Sequence, residues 1–146
     1  MKKILFVNNN MNTGGIQKAL ANLLCELSDN RKETYDIELM LFSKTGDLLD
    51  ELPKDLKVKH GNFFTEILGI THAEAKAKGI FVFLNRSFWT VMTRFFKTGA
   101  VFGILTKMQK DRAHYDCAVS FMQNGEERVF YGGCAEYVLN SVNADK

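Results

Sequence analysis

Residues 3–20 read Lys-Ile-Leu-Phe-Val-Asn-Asn-Asn-Met-Asn-Thr-Gly-Gly-Ile-Gln-Lys-Ala-Leu. The apolar run at 4–7 does not alternate, so it predicts a strand buried on both faces. A polar loop at 8–13 follows, then Gly14 and Gly15. From Ile16 the period changes: Ile16, Ala19, Leu20, Leu23, Leu24 and Leu27 recur at steps of three and four, which predicts a helix. Ser28, Asp29 and Asn30 end it. A second apolar run at 37–42 predicts a second strand, and 56–60 a shorter third one. Strand, glycine turn, helix, strand is a βαβ unit, whose strands are parallel. The fold class is therefore α/β, a parallel sheet flanked by helices.

Further along, 71–79 predicts a short polar helix rich in Ala, Glu and Lys. Residues 86–110 predict one long helix dense in aromatics, with Phe88, Trp89, Phe95, Phe96 and Phe102. Strand character returns at 115–121, and 126–140 predicts a helix interrupted by Gly132 and Gly133. The tail, 142–146, stops where the alternation calls for another strand. The expectation is one domain spanning 1–146 that is cut before its last strand.

A chain of 146 residues with 46% hydrophobic and 25% charged residues has the composition of a globular domain with a core of its own. The net charge of +2 is too small to indicate nucleic acid. Cys25, Cys117 and Cys134 form no CxxC pair and share no ligand spacing with His60, His72 or His114, so they read as reduced thiols and no metal is expected. The apolar run after Lys2 and Lys3 is too short for a signal peptide, and no stretch is long and apolar enough to span a bilayer. The expected location is cytoplasmic.

Gly14 and Gly15 carry the first functional signal. In parallel α/β sheets the ligand crevice lies at the carboxyl ends of the strands. Glycine there lets backbone approach a ligand, and the N–H groups and dipole of the following helix favour phosphate or carboxylate. The plainer alternative is a simple turn, with Thr13 or Asn12 capping the helix. Neither GxGxxG nor a P-loop is present.

The opening segment resembles that of family 4 glycosyltransferases with the GT-B fold, where a first strand leads through a polar loop into a Gly-Gly-hydrophobic-Glu/Gln turn and a leucine-bearing helix. Residues 115–125, Tyr-Asp-Cys-Ala-Val-Ser-Phe-Met-Gln-Asn-Gly, are similar to a later strand and turn of that family's N-terminal domain. The resemblance covers both ends of the chain and leaves the middle unmatched. It implies a Rossmann-like N-terminal half that binds the acceptor, a sugar or a lipid-linked sugar. It also implies a nucleotide-diphosphate sugar as donor substrate, with retention and without metal or other cofactor. Most of the nucleotide is held by a C-terminal domain with a Glu-x7-Glu motif, which this sequence lacks, so the chain alone is expected to be inactive. By the same resemblance Gly14 and Gly15 offer N–H groups to the diphosphate, and Gln17 stands where the family often has Glu. Gln123, Asn124 and Gly125 line the same cleft. The family's histidine on the following strand has no counterpart, so no catalytic residue is assigned.

The second signal lies in 86–112, where Asp111 is the sole acid among Arg86, Arg94, Lys97, Lys107, Lys110 and Arg112. Phe88, Met92, Phe95 and Phe102 fall near one helical face, flanked by Arg94 and Lys97. An apolar stripe with basic flanks suits an anionic membrane surface, with Arg94, Phe95, Phe96 and Lys97 in contact. It equally suits a helix packed on a sheet. A nucleic-acid face is disfavoured, because no RNA-binding motif accompanies the aromatics.

Other residues read more plainly. Asp47, Asp50 and Glu51 predict a solvated turn rather than a metal site. His60 ends a strand, where a general base is conceivable but no partner is in view. His114 falls at the opposite end from the cleft, Cys117 reads as core, and Ser120 lacks a GxSxG elbow. The competing function is a stand-alone flavodoxin-like module that binds a ligand or a membrane without catalysis.

Overall fold

The computed structural model describes residues 1–31, 33–126 and 128–145. Four parallel strands, β1 (Lys2–Asn8), β2 (Tyr35–Leu41), β3 (Lys57–His60) and β5 (Cys117–Ser120), form the main sheet in the order β3-β2-β1-β5. Helix α1 (Gly15–Arg31) connects β1 to β2. Ile4 lies between Ile37 and Cys117, and Val7 between Met40 and Ser120. The sheet is parallel, as 4–7 and 37–42 predict, and Rossmann-like.

Both faces of the sheet are buried, which is why those strands lack alternation. Phe6, Leu39 and Leu41 face α1, meeting Leu20, Ala21 and Leu24. Leu5, Val7, Met40 and Phe42 face the other way, against Phe102, Leu105, Cys134 and Tyr137. These belong to α4 (Thr98–Lys107) and α5 (Cys134–Ser141).

Helix α2 (His72–Lys78) follows the 71–79 pattern and starts in a capping box. Thr71 Oγ1 accepts the Glu74 N–H at 3.2 Å, and Glu74 Oε2 accepts the Thr71 N–H at 2.5 Å.

The predicted helix 86–110 is instead two helices. Helix α3 (Ile80–Phe95) begins before Arg86, and the chain extends at Phe96 before α4. One continuous stripe would place Phe95 and Phe102 in the same environment. Phe95 is 78% exposed and Phe102 is fully buried, so a change of direction separates them.

The predicted strand 115–121 is also divided. The Asp116 N–H donates to Lys3 O, and its carboxylate takes the Lys3 N–H. His114–Tyr115 (β4) leaves the main sheet there and pairs in parallel with Asn143–Ala144 (β6), a short strand in the tail that the sequence pattern does not predict. The predicted helix 126–140 shrinks to α5, because Gly132 and Gly133 both have positive φ; Glu127 and Lys146 lie outside the described residues. Among the described residues no helix is long and apolar enough to cross a membrane.

Candidate functional site at the strand carboxyl edge

The chain runs outward from β1 through β2 to β3, then returns to place β5 on the other side of β1. The topological switch point therefore lies between β1 and β5, where crevices open in such sheets. The loop at 8–14 leaves β1 at this point, and residues 121–125 leave β5 beside it.

Much of this polar loop is packed inside the fold. Asn8, Asn9 and Asn10 are buried. Asn9 Nδ2 donates to the carbonyls of Leu68 (2.9 Å) and Gly132 (3.0 Å), and Asn9 Oδ1 accepts from Cys134 Sγ. Asn10 Nδ2 donates to Gly69 O at 2.6 Å and reaches the Tyr131 hydroxyl at 3.1 Å. The Asn9 and Asn10 amides are satisfied in this way, as buried amides are, whereas Asn8 donates to Asn10 O and its Oδ1 has no partner among the described residues. Asn9 and Asn10 tie β1 to the 3₁₀ turn Glu66–Gly69 and to the glycines before α5.

The far side of the loop is held by Gly46. Its φ is 119°, and a β-carbon there would fall 2.0 Å from the Met11 backbone. No other residue type permits that approach. The contact brings the 3₁₀ turn Asp47–Glu51 against the Gly-Gly turn. Thr13 donates to Asp47 Oδ2 at 3.2 Å, and Lys18 pairs with Glu51. Thr13, Gly14, Gly15, Lys18, Asp47, Leu48 and Glu51 line one open hollow. Asp47 and Glu51 thus border the predicted anion turn, a neighbourhood that spacing did not reveal.

Gly14 and Gly15 differ in their surroundings. A β-carbon on Gly14 would meet Gln17 Oε1, whereas one on Gly15 meets nothing within 4 Å. Gln17 belongs to the buried stripe of α1 with Leu20, Ala21 and Leu24. Among the described residues no side chain accepts from the N–H groups of Gly14, Gly15, Ile16 or Gln17. Thr13, the suggested cap, is turned to Asp47, and Asn12 donates its N–H to Asn10 Oδ1.

Past β5, Gln123 is exposed. Asn124 uses both amide atoms on α5: Oδ1 accepts the Gly133 N–H and Nδ2 donates to Glu136, each at 2.7 Å. The Gly125 N–H bonds Tyr131 O. The Asn124 amide is therefore committed to the scaffold of the cleft edge, and Gln123 is the member of this trio with a free side chain.

The densest titratable cluster lies elsewhere, on the α4–α5 face. Glu38 is buried beside Lys3 (2.9 Å) and Lys59 (3.0 Å), and Lys59 also reaches Asp111 at 2.8 Å. The Tyr115 hydroxyl accepts from Lys59 and stands 2.8 Å from Glu38 and 2.9 Å from Asp111. Burial pushes the Glu38 carboxyl up, but the bonds from Lys3, Tyr115 and Lys59 outweigh it and bring its pKa down to about 2. Lys57, paired with Asp36 at 3.1 Å, also lies 3.9 Å from Glu38, and the cluster is a satisfied structural network.

His60 does end β3 at the carboxyl edge, its Nδ1 against Gly61 O, and among the described residues no carboxylate partners it. His114 sits at the amino edge near Asp145, and Cys117 is half-buried rather than core. Arg94, Phe95, Phe96 and Lys97 are exposed at the end of α3, with Arg128 lining the same hollow. Arg86, counted above among the basic residues of an amphipathic face, is instead buried and donates to the carbonyls of Ile67 (2.7 Å) and Phe130 (3.3 Å).

The chain matches no known family, no curated protein and no solved structure.

Proposed function

We propose that this chain is the acceptor-side, Rossmann-like half of a retaining, metal-independent glycosyltransferase of the GT-B kind. Its donor is a nucleotide-diphosphate sugar, and it serves polysaccharide or glycolipid synthesis at the cytoplasmic face of a membrane. The single observation behind this is the position of the Gly-Gly turn. It joins the central strand to the longest helix at the switch point, with the N–H groups of Gly14, Gly15, Ile16 and Gln17 uncapped by side chains.

Uncapped N–H groups at a helix N-terminus stabilise charge that develops on a leaving diphosphate. Asp47 and Glu51 beside them, Glu51 already balanced by Lys18, accept hydrogen bonds from sugar hydroxyls. Together these groups suit a polyhydroxylated acceptor with a diphosphate at its edge better than a phosphate alone. Catalysis is positional and electrostatic on this side of the cleft, and a second domain supplies the nucleotide contacts.

The test is amide chemical-shift mapping of the chain titrated with a panel of nucleoside-diphosphate sugars and with inorganic pyrophosphate. Shifts centred on Gly14, Gly15, Ile16 and Gln123 are expected. Shifts confined to other surfaces, or none at millimolar ligand, would remove the cleft from the function.

A further inference from the structure

Helix α3 carries apolar side chains on two faces. Its inner face carries Val82, Trp89 and Met92 against the core, together with the buried Arg86 and Thr93. Its outer face shows Ile80, Phe81, Leu84, Phe88, Val91 and Phe95 to solvent, and Phe96 continues the row. Steps of three and four from Phe81 to Phe95 make this a single stripe. A helix that only packs on a core turns its apolar stripe inward; here a second apolar stripe points away from the core.

Charge is arranged around the stripe. Residues 75–110 contain no Asp or Glu, and they contain Lys76, Lys78, Arg86, Arg94, Lys97, Lys107 and Lys110. At the end of α3, Arg94 and Lys97 line a hollow with Phe95, Phe96 and Arg128. Arg128 arrives from a distant loop with φ 75°, its N–H bonded to Thr98 Oγ1 at 2.9 Å. Among the described residues no carboxylate pairs with Arg94, Lys97 or Arg128.

We propose that the outer face of α3 docks the chain on an anionic lipid bilayer, the helix lying flat, with Arg94, Lys97 and Arg128 gathering headgroup phosphates. The observations favour a bilayer over a protein groove. The stripe is convex and purely apolar, offering no side-chain hydrogen bond, whereas protein interfaces carry about one per 100–200 Å². Three unpaired cations beside two phenylalanines match a surface that is negative at the headgroups and apolar just below. At 16 residues, α3 lies along such a surface and does not cross it. The inference stands apart from the Gly-Gly turn and survives if the sugar-transfer proposal fails.

Vesicle co-sedimentation of the full chain tests it, with vesicles of phosphatidylglycerol in phosphatidylcholine against phosphatidylcholine alone. Trp89, the sole tryptophan, serves as a second reporter through quenching by brominated lipid. Binding to the anionic vesicles at low salt is expected, with loss at about 1 M salt. Arg94→Glu with Lys97→Glu should weaken partition by at least about 25-fold, and Phe81→Ser with Phe88→Ser should abolish it. These side chains face solvent, so an unchanged Tm shows that the variants fold. Equal binding to neutral vesicles, or no binding at low salt, overturns the proposal. A lipid-free dimer, or a lipid-free longer protein, in which α3 is already shielded overturns it too, assigning the face to a protein partner.

Discussion

Gln17 folds its side chain back over Gly14, so that Oε1 ends 2.6 Å from where a β-carbon on Gly14 would sit. The two adjacent glycines of the turn are therefore separable. Gly14→Ala must displace the Gln17 amide from its packed position, whereas Gly15 has open space and no left-handed backbone to protect. Gly15→Val is predicted to leave stability within about 0.5 kcal/mol of the parent, while the added branch keeps a ligand away from the N–H groups. In the complete transferase, turnover should fall at least about 100-fold, the scale of losing one oxyanion donor. Thermal unfolding and turnover of the same variant check both halves. A stable variant with full turnover would take the turn out of the mechanism.

Glu38 gives a pH prediction of definite sign. Its folded pKa, about 2, is below the ordinary 4.5, so its contribution is complete above 4.5 and is lost as the pH falls toward 2. Burial raises the Asp111 carboxyl, but Lys59, the Ala113 N–H and Tyr115 bring it below its ordinary range, so it acts in the same direction. Lys59 acts at the other end: burial lowers it, Asp111 and Glu38 raise it further, and its share is lost only as the pH rises past its ordinary 10.5. The Glu38 share is about 3 kcal/mol at neutral pH. Tm should therefore fall between pH 5 and 2, and Glu38→Gln should lower Tm at pH 7 while flattening that fall. An acid limb equally steep in the variant would place the titration elsewhere.

The elements that sequence reading located share one property: their pattern is decided locally. Leu5 and Val7 meet one core while Phe6 meets the other, and a continuous apolar run is what burial on two faces demands. Leu20, Leu24 and Leu27 of α1 recur at helical steps because they share the face that packs on the sheet, while Ile16 and Leu23 of the same repeat are exposed. The Asn8–Asn10 segment reads only as a polar loop because its acceptors lie far away in sequence, 59 residues on at Leu68 and 123 at Gly132. The acidic border of the Gly-Gly turn was hidden for the same reason, since it depends on Gly46 packing on Met11. The start of α3 escaped because Ile80-Phe-Val-Phe-Leu84 has the composition of a strand. A helix with an apolar stripe on its outer as well as its inner face also defeats the periodic rule from which burial is inferred.

Arg86 is the strut that fixes α3 in this orientation, and its removal is the last prediction. Burial holds the guanidinium below its ordinary pKa, with Glu74 and Tyr131 opposing that shift. Its two terminal nitrogens bond Ile67 O and Phe130 O, on segments 19 and 44 residues away, and its plane lies over the Phe130 ring at 5.1 Å. Arg86→Met matches the stem but leaves two buried carbonyls without donors, a loss of about 3 kcal/mol. Arg86→Lys should recover little, because one ammonium cannot reproduce a planar fork aimed at two separate oxygens. Urea unfolding gives the energies, and native-state hydrogen exchange gives the location. Amides of α3 should lose protection while those of β1 and β2 keep theirs. If Arg86→Met unfolds within about 1 kcal/mol of the parent, the apolar contacts of Trp89 and Met92 hold α3 by themselves, and the inward guanidinium has no structural role.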